Sequence, residues 1–344
     1  MSIITINPAT GEKLNEYPEH SYEECVRLIE KSHIIQNNWR KTSFRHRAEL
    51  MFKASQILTD YKRKYGELMA LEMGKPLAQG ISEAEKCAWV CRYYAENAEE
   101  QLKDIEIKTE MKESFVSFQP LGTVLAIMPW NFPFWQVFRF AAPALMAGNA
   151  GLLKHSSNTM GCAIEIEKVF LKAGFPEGLF TTLVISSKPV VQLLEHTGIA
   201  AVTLTGSTPV GMSVAAKAGS LIKKTVLELG GSDPYIVLED ADLERTVQLC
   251  VTARFLNSGQ SCIAAKRFIV VKPVLEKFEG LFVAKTKEMK MGNPLEDGIN
   301  IGPQARKDLQ LDLNRQVKDS IVKGAKLLLG GELPDTPGFF YPPT

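Results

Sequence analysis

The chain has 344 residues, a formal charge of +1 and 45% hydrophobic residues, which is typical of a globular protein long enough for two domains. The near-neutral charge gives no electrostatic basis for binding nucleic acid or an anionic membrane. The six cysteines are too sparse for a disulfide framework and indicate a reducing compartment. The first residues lack the basic and apolar regions of an export signal, so we expect a cytoplasmic protein.

The predicted elements begin with helices over residues 21–102, where Ser21 and Glu24 have the spacing of a capping box. Residues 105–119 alternate in polarity and predict a polar β-hairpin or arm. From residue 122 onward, short apolar strands alternate with amphipathic helices, which predicts a parallel, doubly wound sheet. We expect strands at 122–128, 151–154, 181–185, 200–204, 225–230, 235–238, 268–271 and 326–329, and helices at 134–147, 158–173, 188–196, from Pro209 onward, 241–256 and 274–290.

The apolar span 124–153 could be mistaken for a membrane helix, because its single charge is Arg139. Pro129, Pro133 and Pro143 interrupt this span. Three prolines favour a buried strand, a turn and a helix over one membrane-spanning helix. We therefore expect no membrane partner.

Two polar motifs follow buried strands of the predicted sheet. In PWNFP (129–133), two prolines brace Asn131, whose rigid amide could donate to a developing oxyanion; Asn is also common in ordinary turns. In LLKHSSN (152–158), Lys154 ends a strand, where ligands of open α/β sheets bind. A lysine followed by two serines suits a ribose or phosphate, and a surface lysine with a buried stem is the alternative.

Two further motifs have a catalytic and an ordinary interpretation. GSTPVG (206–211) follows a strand and opens a helix at Pro209, so its N–H groups favour a dinucleotide pyrophosphate. The spacing is not GxGxxG, and an ordinary strand–helix turn is at least as consistent. In LELGG (227–231), Glu228 lies in an apolar strand and suits general-base chemistry, unless the strand is at an edge and Glu228 faces solvent.

Cys262 lies in NSGQSCIAAKR (257–267), between small polar residues. A lone cysteine is more often a small core residue than a nucleophile. Taken together, however, PWNFP, GSTPVG, LELGG and NSGQSC occur in the order that resembles the aldehyde dehydrogenase superfamily. The separation of 34 residues from Glu228 to Cys262 also fits that family. The resemblance covers essentially the whole chain and is greatest to NAD(P)-dependent succinate-semialdehyde dehydrogenases.

The resemblance implies an α/β fold. It predicts a Rossmann-like dinucleotide-binding domain over 1–104 and 120–230, with 105–119 as an oligomerisation arm. An incomplete α/β catalytic domain would cover 231–344. The chain stops at GFFYPPT, whereas the family continues with a Glu-Ile-Phe-Gly-Pro motif and a strand that joins subunits. We therefore expect a C-terminally truncated chain, and a homo-oligomer for the intact protein.

The resemblance also implies a mechanism. Cys262 would attack an aldehyde, Asn131 and the Cys262 N–H would hold the oxyanion, and Glu228 would activate water. NADP or NAD would accept the hydride. Ser157 replaces a glutamate typical of NAD-specific members and so permits NADP. The implied cofactor-binding residues are Ile127, Pro129, Trp130, Lys154, Ser156, Ser157, Gly178, Gly206, Ser207 and Leu229.

Arg139 matches a position that holds a substrate carboxylate in similar enzymes, which favours succinate semialdehyde; a structural ion pair is the alternative. Leu256 and Ala264 depart from residues found in some succinate-semialdehyde dehydrogenases, and segment 184–190 lacks the family's glycine-rich loop. Two other functions are a non-catalytic, dinucleotide-binding fragment and a thiol esterase that uses Cys262 and Asn131.

Overall fold

The chain forms two compact units, and the computed structural model describes residues 1–344 of it. Unit 1 consists of Met1–Ile3, Glu16–Lys62 and Ser82–Glu228, and unit 2 consists of Ile4–Asn15, Arg63–Ile81 and Leu229–Thr344. The boundary after Glu228 lies close to the expected one at 230. Two N-terminal segments belong with unit 2, however, and the arm 105–119 belongs with unit 1. The functions assigned to these domains stay predictions.

The strands are short and fall where apolar residues are concentrated. In chain order they are β1 (Ser2–Ile6), β2 (Lys13–Pro18), β3 (Ile105–Glu106), β4 (Phe115–Val116), β5 (Thr123–Met128), β6 (Ala150–His155), β7 (Phe180–Thr182), β8 (Ile199–Thr205), β9 (Lys224–Glu228), β10 (Pro234–Val237) and β11 (Arg267–Val270).

The helices include the long N-terminal ones that the periodicity predicts. In chain order they are α1 (Tyr22–Trp39), α2 (Phe44–Asp60), α3 (Lys62–Met73), α4 (Leu77–Gln101), α5 (Trp135–Met146), α6 (Met160–Ala173), α7 (Val190–Leu193), α8 (Thr208–Ser220), α9 (Leu243–Phe255), α10 (Lys272–Lys287) and α11 (Lys307–Val322). Short 3₁₀ helices cover Ser157–Thr159 and Leu256–Gly259. The capping box of Ser21 and Glu24 is present at the start of α1.

Unit 1 is built on a parallel five-stranded sheet with the order β7-β6-β5-β8-β9. Every residue of β5 and β6 is buried, as expected for central strands of a parallel sheet with both faces covered. The chain runs outward from β5 through β6 and β7, then returns to the other side of β5 with β8 and β9. The strand order therefore reverses between β5 and β8, where open α/β sheets bind ligands. This confirms the predicted parallel, doubly wound sheet.

A buried arginine attaches the N-terminal helices to the end of α5. The Arg47 guanidinium is 4% exposed and donates to the carbonyl oxygens of Met146, Arg40 and Thr42 at 2.9–3.0 Å. Burial lowers the pKa of Arg47, and hydrogen bonds to backbone oxygens compensate for the loss of solvation. The C-terminal end of α5 is thereby held in place.

Unit 2 contains a parallel pair of strands, β10 and β11, in the register Pro234–Arg267 to Val237–Val270. Its hydrophobic core lies where α9 and α10 cover this pair, and it includes Val247, Val251 and Phe278. The connection from α9 to β11 carries the cysteine motif. Its position is thus fixed at both ends by packed elements.

Three predicted elements differ from the structure. The strand 181–185 ends at Thr182, because β7 pairs with only three residues of β6. The helix 188–196 is reduced to the single turn of α7. The predicted strand 326–329 is wrong: the segment is irregular and has no strand beside it to accept its hydrogen bonds.

The expected hairpin at 105–119 is confirmed in part. β3 and β4 pair antiparallel over two residues each, and their side chains are exposed, including the apolar Ile105 and Phe115. None of the helices is long and apolar enough to cross a membrane.

A close backbone contact in unit 2 gives a test of the packing behind the cysteine motif. A Cβ atom on Gly302 would lie 1.9 Å from the Gly74 carbonyl oxygen, whereas a Cβ on Gly280 in α10 would meet nothing within 4 Å. We expect Gly302→Ala to reduce the free energy of unfolding by about 2 kcal/mol or more through overpacking.

The matched variant Gly280→Ala should instead be neutral or stabilising by about 0.5–1 kcal/mol, because alanine favours a helix interior. Calorimetric unfolding of both variants checks this. Equal stability of the two variants would contradict the close contact.

Candidate active site

The polar residues of unit 1 gather at the carboxyl edge of its sheet. Parallel register places Met128 opposite His155, and Thr205 opposite Glu228. The segments that follow β5, β6, β8 and β9 therefore meet at one edge. The sequence-predicted residues that the structure brings to this edge are Ile127, Pro129, Trp130, Asn131, Lys154, Ser156, Ser157, Gly206, Ser207 and Glu228.

Gly178 does not lie with this group. It precedes β7, with φ +91°, and so lies at the amino end of a strand that runs parallel to the others. Leu229 begins the C-terminal segment of unit 2. The structure therefore separates Gly178 from the edge cluster of unit 1, whereas Leu229 directly follows Glu228 at the carboxyl end of β9.

The PWNFP turn holds Asn131 just after β5. The Asn131 Oδ1 atom accepts a hydrogen bond from the Phe132 N–H at 3.1 Å, and the residue is half-buried. The turn passes directly into α5, whose first turn includes Trp135. The orientation of the Asn131 amide is therefore coupled to the start of α5.

Glu83 fixes the start of α5, and sequence reasoning missed it. The Glu83 Oε1 atom accepts from the N–H groups of Phe134 and Trp135, both at 2.9 Å, and the residue is buried. A carboxylate at a helix N-terminus satisfies backbone donors that have no partner within the helix and is favoured by the helix dipole. Because Glu83 lies on α4, 51 residues before Phe134, no local pattern in the sequence indicates this contact.

His155 holds the same turn from the side of β6. Its Nε2 atom lies 3.0 Å from the Pro133 carbonyl oxygen, and its Nδ1 atom accepts from the Ser156 N–H at 2.8 Å. Complete burial lowers the pKa of His155 to about 4. A neutral ring with the proton on Nε2 satisfies both contacts, because a protonated ring could not accept the Ser156 hydrogen bond.

Lys154 is a largely buried cation at the carboxyl end of β6. It is the penultimate residue of β6, its side chain belongs to a residue only 8% exposed, and burial lowers its pKa. Ser156 and Ser157 follow and are half-buried, with the Ser156 hydroxyl donating to Asn158 Oδ1 at 2.7 Å. A cation on a largely buried side chain is costly without a polar neighbour, so this arrangement fits a polar ligand such as a ribose or phosphate.

The turn after β8 has small residues at the start of a helix. The Gly206 N–H donates to the Glu228 carbonyl oxygen at 3.0 Å, and α8 begins directly after Ser207. The Ser207 side chain makes no capping hydrogen bond, and Pro209 lies in the first turn. Together with Lys154 at the end of β6, two strands away in the sheet, this helix N-terminus gives a site suited to a dinucleotide.

Glu228 ends the edge strand β9, and its side chain is 53% exposed. Within the chain, Glu228 is therefore a solvent-facing glutamate on an edge strand, which is the ordinary interpretation of its motif. The Arg139 guanidinium lies close by, with Nη1 3.6 Å from Glu228 Oε2 and Nη2 donating to Thr205 Oγ1 at 3.3 Å. Arg139 is also 36% exposed, so this pair is loose and open to solvent.

Arg139 and Glu228 line an open cavity of about 530 Å³ in unit 1. The cavity lies along α5, β8 and β9. Its other lining residues are mostly apolar and include Val124, Met128, Phe140 and Val226. A few polar groups in an otherwise apolar pocket are the usual composition of a small-molecule site.

Cys262 lies in unit 2 and differs from the other five cysteines, all of which are buried. The chain reaches it through three successive residues in the left-handed region: Asn257 (φ 55°), Ser258 (φ 56°) and Gly259 (φ 78°). Left-handed backbone is unfavourable for Asn and Ser, and such strain is found at functional sites. Glycine suits position 259, because its φ of 78° lies in the left-handed region, where any other side chain is strained.

Hydrogen bonds from the rest of unit 2 hold this strained turn. Gln79 Oε1 accepts from the Asn257 N–H at 2.7 Å. The Ser258 hydroxyl oxygen accepts from the Gly302 N–H, and Gln260 Oε1 accepts from the Ala305 N–H, both at 2.9 Å. The segment that carries Cys262 is thus positioned by distant parts of the chain.

Comparison with known proteins identifies the family. The profile described as "Aldehyde dehydrogenase family" matches residues 1–344. The chain belongs to the aldehyde dehydrogenase family. It is 50% identical over 344 residues to a protein from Synechocystis sp. named probable succinate-semialdehyde dehydrogenase [NADP(+)], covering all of this chain and 76% of that protein. It is 47% identical over 347 residues to succinate-semialdehyde dehydrogenase [NADP(+)] 1 of Mycobacterium tuberculosis, with the same coverage.

Solved structures of this family share the fold. A crystal structure of succinic semialdehyde dehydrogenase from Streptococcus pyogenes, in complex with NADP+, matches with a TM-score of 0.97 and 34% identity. The match covers 99% of this chain and 75% of that chain. This aldehyde dehydrogenase thus spans about three quarters of the length of the relatives it matches.

The buried His155 predicts a dependence of stability on pH. Its pKa is about 4 in the folded chain and 6.5 in the unfolded reference. Between these values the unfolded chain binds a proton that the folded chain does not. The stability contributed by the neutral ring is therefore fully present above about pH 6.5 and is lost progressively as the pH falls to about 4.

The measurement is the free energy of unfolding in urea at several pH values, for the wild-type chain and His155→Gln. From pH 7 to pH 4, the free energy of unfolding should fall by about 3 kcal/mol more for the wild-type chain than for the variant. The same pH dependence in both proteins would show that His155 is not held neutral.

Proposed function

We propose that this aldehyde dehydrogenase oxidises a short aldehyde that carries a carboxylate, with succinate semialdehyde as the substrate and NADP as the preferred hydride acceptor. The observation that carries the proposal is Cys262, the one cysteine that is not buried, which follows a turn of strained backbone at residues 257–259. The names of the similar proteins from Synechocystis and Mycobacterium support the choice of substrate and cofactor.

Cys262 is the proposed nucleophile. Its thiolate attacks the aldehyde carbon and forms a thiohemiacetal. The Asn131 amide and the Cys262 N–H donate hydrogen bonds to the oxyanion, which stabilise the charge as it develops. NADP, when bound, would supply the hydride acceptor, so that loss of hydride from the former aldehyde carbon would leave a thioester on Cys262.

Glu228 is the proposed general base for hydrolysis of the thioester. Its carboxylate takes a proton from water as the water oxygen attacks the acyl carbon, and the Cys262 thiolate leaves. The products are the carboxylic acid and the free enzyme. The half-exposed side chain of Glu228 supports this role, because water has direct access to it.

The edge cluster of unit 1 is the proposed cofactor site. Lys154 would donate to the adenosine ribose, and Gly206 and Ser207 would contact the pyrophosphate at the start of α8. Ile127, Pro129, Trp130 and Ser156 would complete it at the ends of β5 and β6. The residues fit such a group, because the largely buried Lys154 side chain and the start of α8 both lie at this edge of the sheet.

Arg139 is the proposed ligand of the substrate carboxylate. It lines the cavity of unit 1, and its only close carboxylate is the solvent-exposed Glu228 at 3.6 Å. A guanidinium in a loose pair retains donors for a bidentate carboxylate. The ion pair seen in the structure and the substrate role are therefore compatible.

Substitutions at Cys262 and Glu228 test the two chemical steps. Cys262→Ser should reduce NADP-dependent oxidation of succinate semialdehyde by at least about 10³-fold, because a serine hydroxyl is a far weaker nucleophile near neutral pH. Glu228→Gln should still release about one equivalent of NADPH per chain in a rapid burst and then turn over slowly, because only thioester hydrolysis loses its base. Stopped-flow absorbance measures both.

Unchanged turnover in either variant would contradict the assigned roles. No turnover in the wild-type chain with any aldehyde, together with NADP binding, would favour a dinucleotide-binding protein without catalysis. Cleavage of activated esters that requires Cys262 but no cofactor would favour the esterase alternative.

Ser157 is the proposed determinant of cofactor choice. Ser157→Glu should raise the Kd for NADP by at least about tenfold, because a carboxylate beside the 2′-phosphate is repelled. The Kd for NAD should change little or fall. Fluorescence titration of both cofactors with both proteins measures this, and an equal change for NADP and NAD would contradict the assignment.

A further inference from the structure

Gln136 is a buried amide that the fold does not explain. It lies on α5, is 3% exposed, and its Oε1 atom has no hydrogen-bond partner within the chain. It lines the cavity of unit 1 beside apolar neighbours such as Val124 and Met128. A leucine or methionine would fill this position without leaving a polar group unsatisfied, so packing alone does not account for glutamine.

Gln136 and Arg139 face the same space. Three residues apart on a helix, they lie on one face of α5, and both line the cavity. As placed, the unpaired Oε1 atom can only accept a hydrogen bond. Half a turn about the terminal torsion, which is broad for a side-chain amide, exchanges Oε1 with the NH₂ group and lets Gln136 donate to a ligand. A neutral donor is suited to this position, because it adds a hydrogen bond to the ligand without placing a second positive charge beside the Glu228 carboxylate.

We infer that Gln136 is a specificity-determining residue that donates to the substrate carboxylate beside Arg139. The inference rests on the proposed function and adds the second half of the carboxylate site. Each carboxylate oxygen can accept more than one hydrogen bond. A carboxylate that is bound by the Arg139 guanidinium can therefore also accept a hydrogen bond from the Gln136 amide. The ligand class is therefore a short ω-semialdehyde acid rather than an uncharged aldehyde.

Binding of 4-hydroxybutyrate, an unreactive analogue with an alcohol in place of the aldehyde, tests this directly by isothermal titration calorimetry on the full chain. Gln136→Leu should raise its Kd about tenfold, the effect of one hydrogen bond to a charged group. Gln136→Glu should raise it further through repulsion of like charges. The control Gln192→Leu, at an exposed position of α7, should stay within about twofold of wild type.

Thermal unfolding of each variant establishes that it is folded before titration. A Kd for Gln136→Leu within twofold of wild type, tighter binding by Gln136→Glu, or no binding to the wild-type chain would overturn the inference. NADP-dependent oxidation of butanal, which has no carboxylate, separates this result from the proposed function. If Cys262-dependent oxidation of butanal persists while Gln136→Leu binds normally, the chemistry stands and the carboxylate site is wrong.

Discussion

The parallel register of the five-stranded sheet is the constraint on which the candidate site of unit 1 depends. Because the strands run in one direction, every segment that leaves a carboxyl end emerges at the same edge. The PWNFP turn, the Lys154 segment, the Gly206 turn and Glu228 lie far apart in sequence but follow four neighbouring strands. Shifting one strand by a single residue would turn its side chains to the opposite face and dismantle the cluster.

Buried polar contacts keep the loops at this edge in one conformation. Glu83 and His155 hold the turn around Asn131 from two elements, with acceptors for the first N–H groups of α5 and a donor for Pro133. In unit 2 the strained turn before Cys262 is held by Gln79, and by N–H groups of the segment 302–305. In both units the proposed reactive groups are on loops or strand ends, and hydrogen bonds from distant elements position them.

Much of the fold could be predicted from the sequence, because local patterns determine it. Short continuous apolar runs mark β5 and β6, an amphipathic helical pattern marks α5, and the Ser21–Glu24 spacing marks the start of α1. The strand prediction at 326–329 was wrong because a short apolar run does not form a strand without a neighbouring strand to pair with. The sequence also could not predict that Ile4–Asn15 and Arg63–Ile81 form a compact unit with the C-terminal residues, since this unit depends on long-range packing.

The candidate site was predictable as motifs but not as contacts. Cys262, Glu228 and Asn131 follow from their motifs, whereas Glu83, His155 and the unsatisfied Gln136 become visible only when distant elements pack together. The motif interpretation also gave Gly178 a cofactor role, while the structure places it at the opposite end of the strands from the cluster. Residue type and spacing thus identify candidate chemistry, and tertiary structure decides which residues share a site.

The central claim is that Cys262 becomes covalently acylated by the substrate. The most direct measurement is mass spectrometry of peptides from the wild-type chain, quenched in acid within milliseconds of mixing with NADP and succinate semialdehyde. The mechanism predicts an added succinyl group on the peptide that contains Cys262, and only when NADP is present. An unmodified Cys262 during active turnover, or a succinyl group on another cysteine, would contradict it.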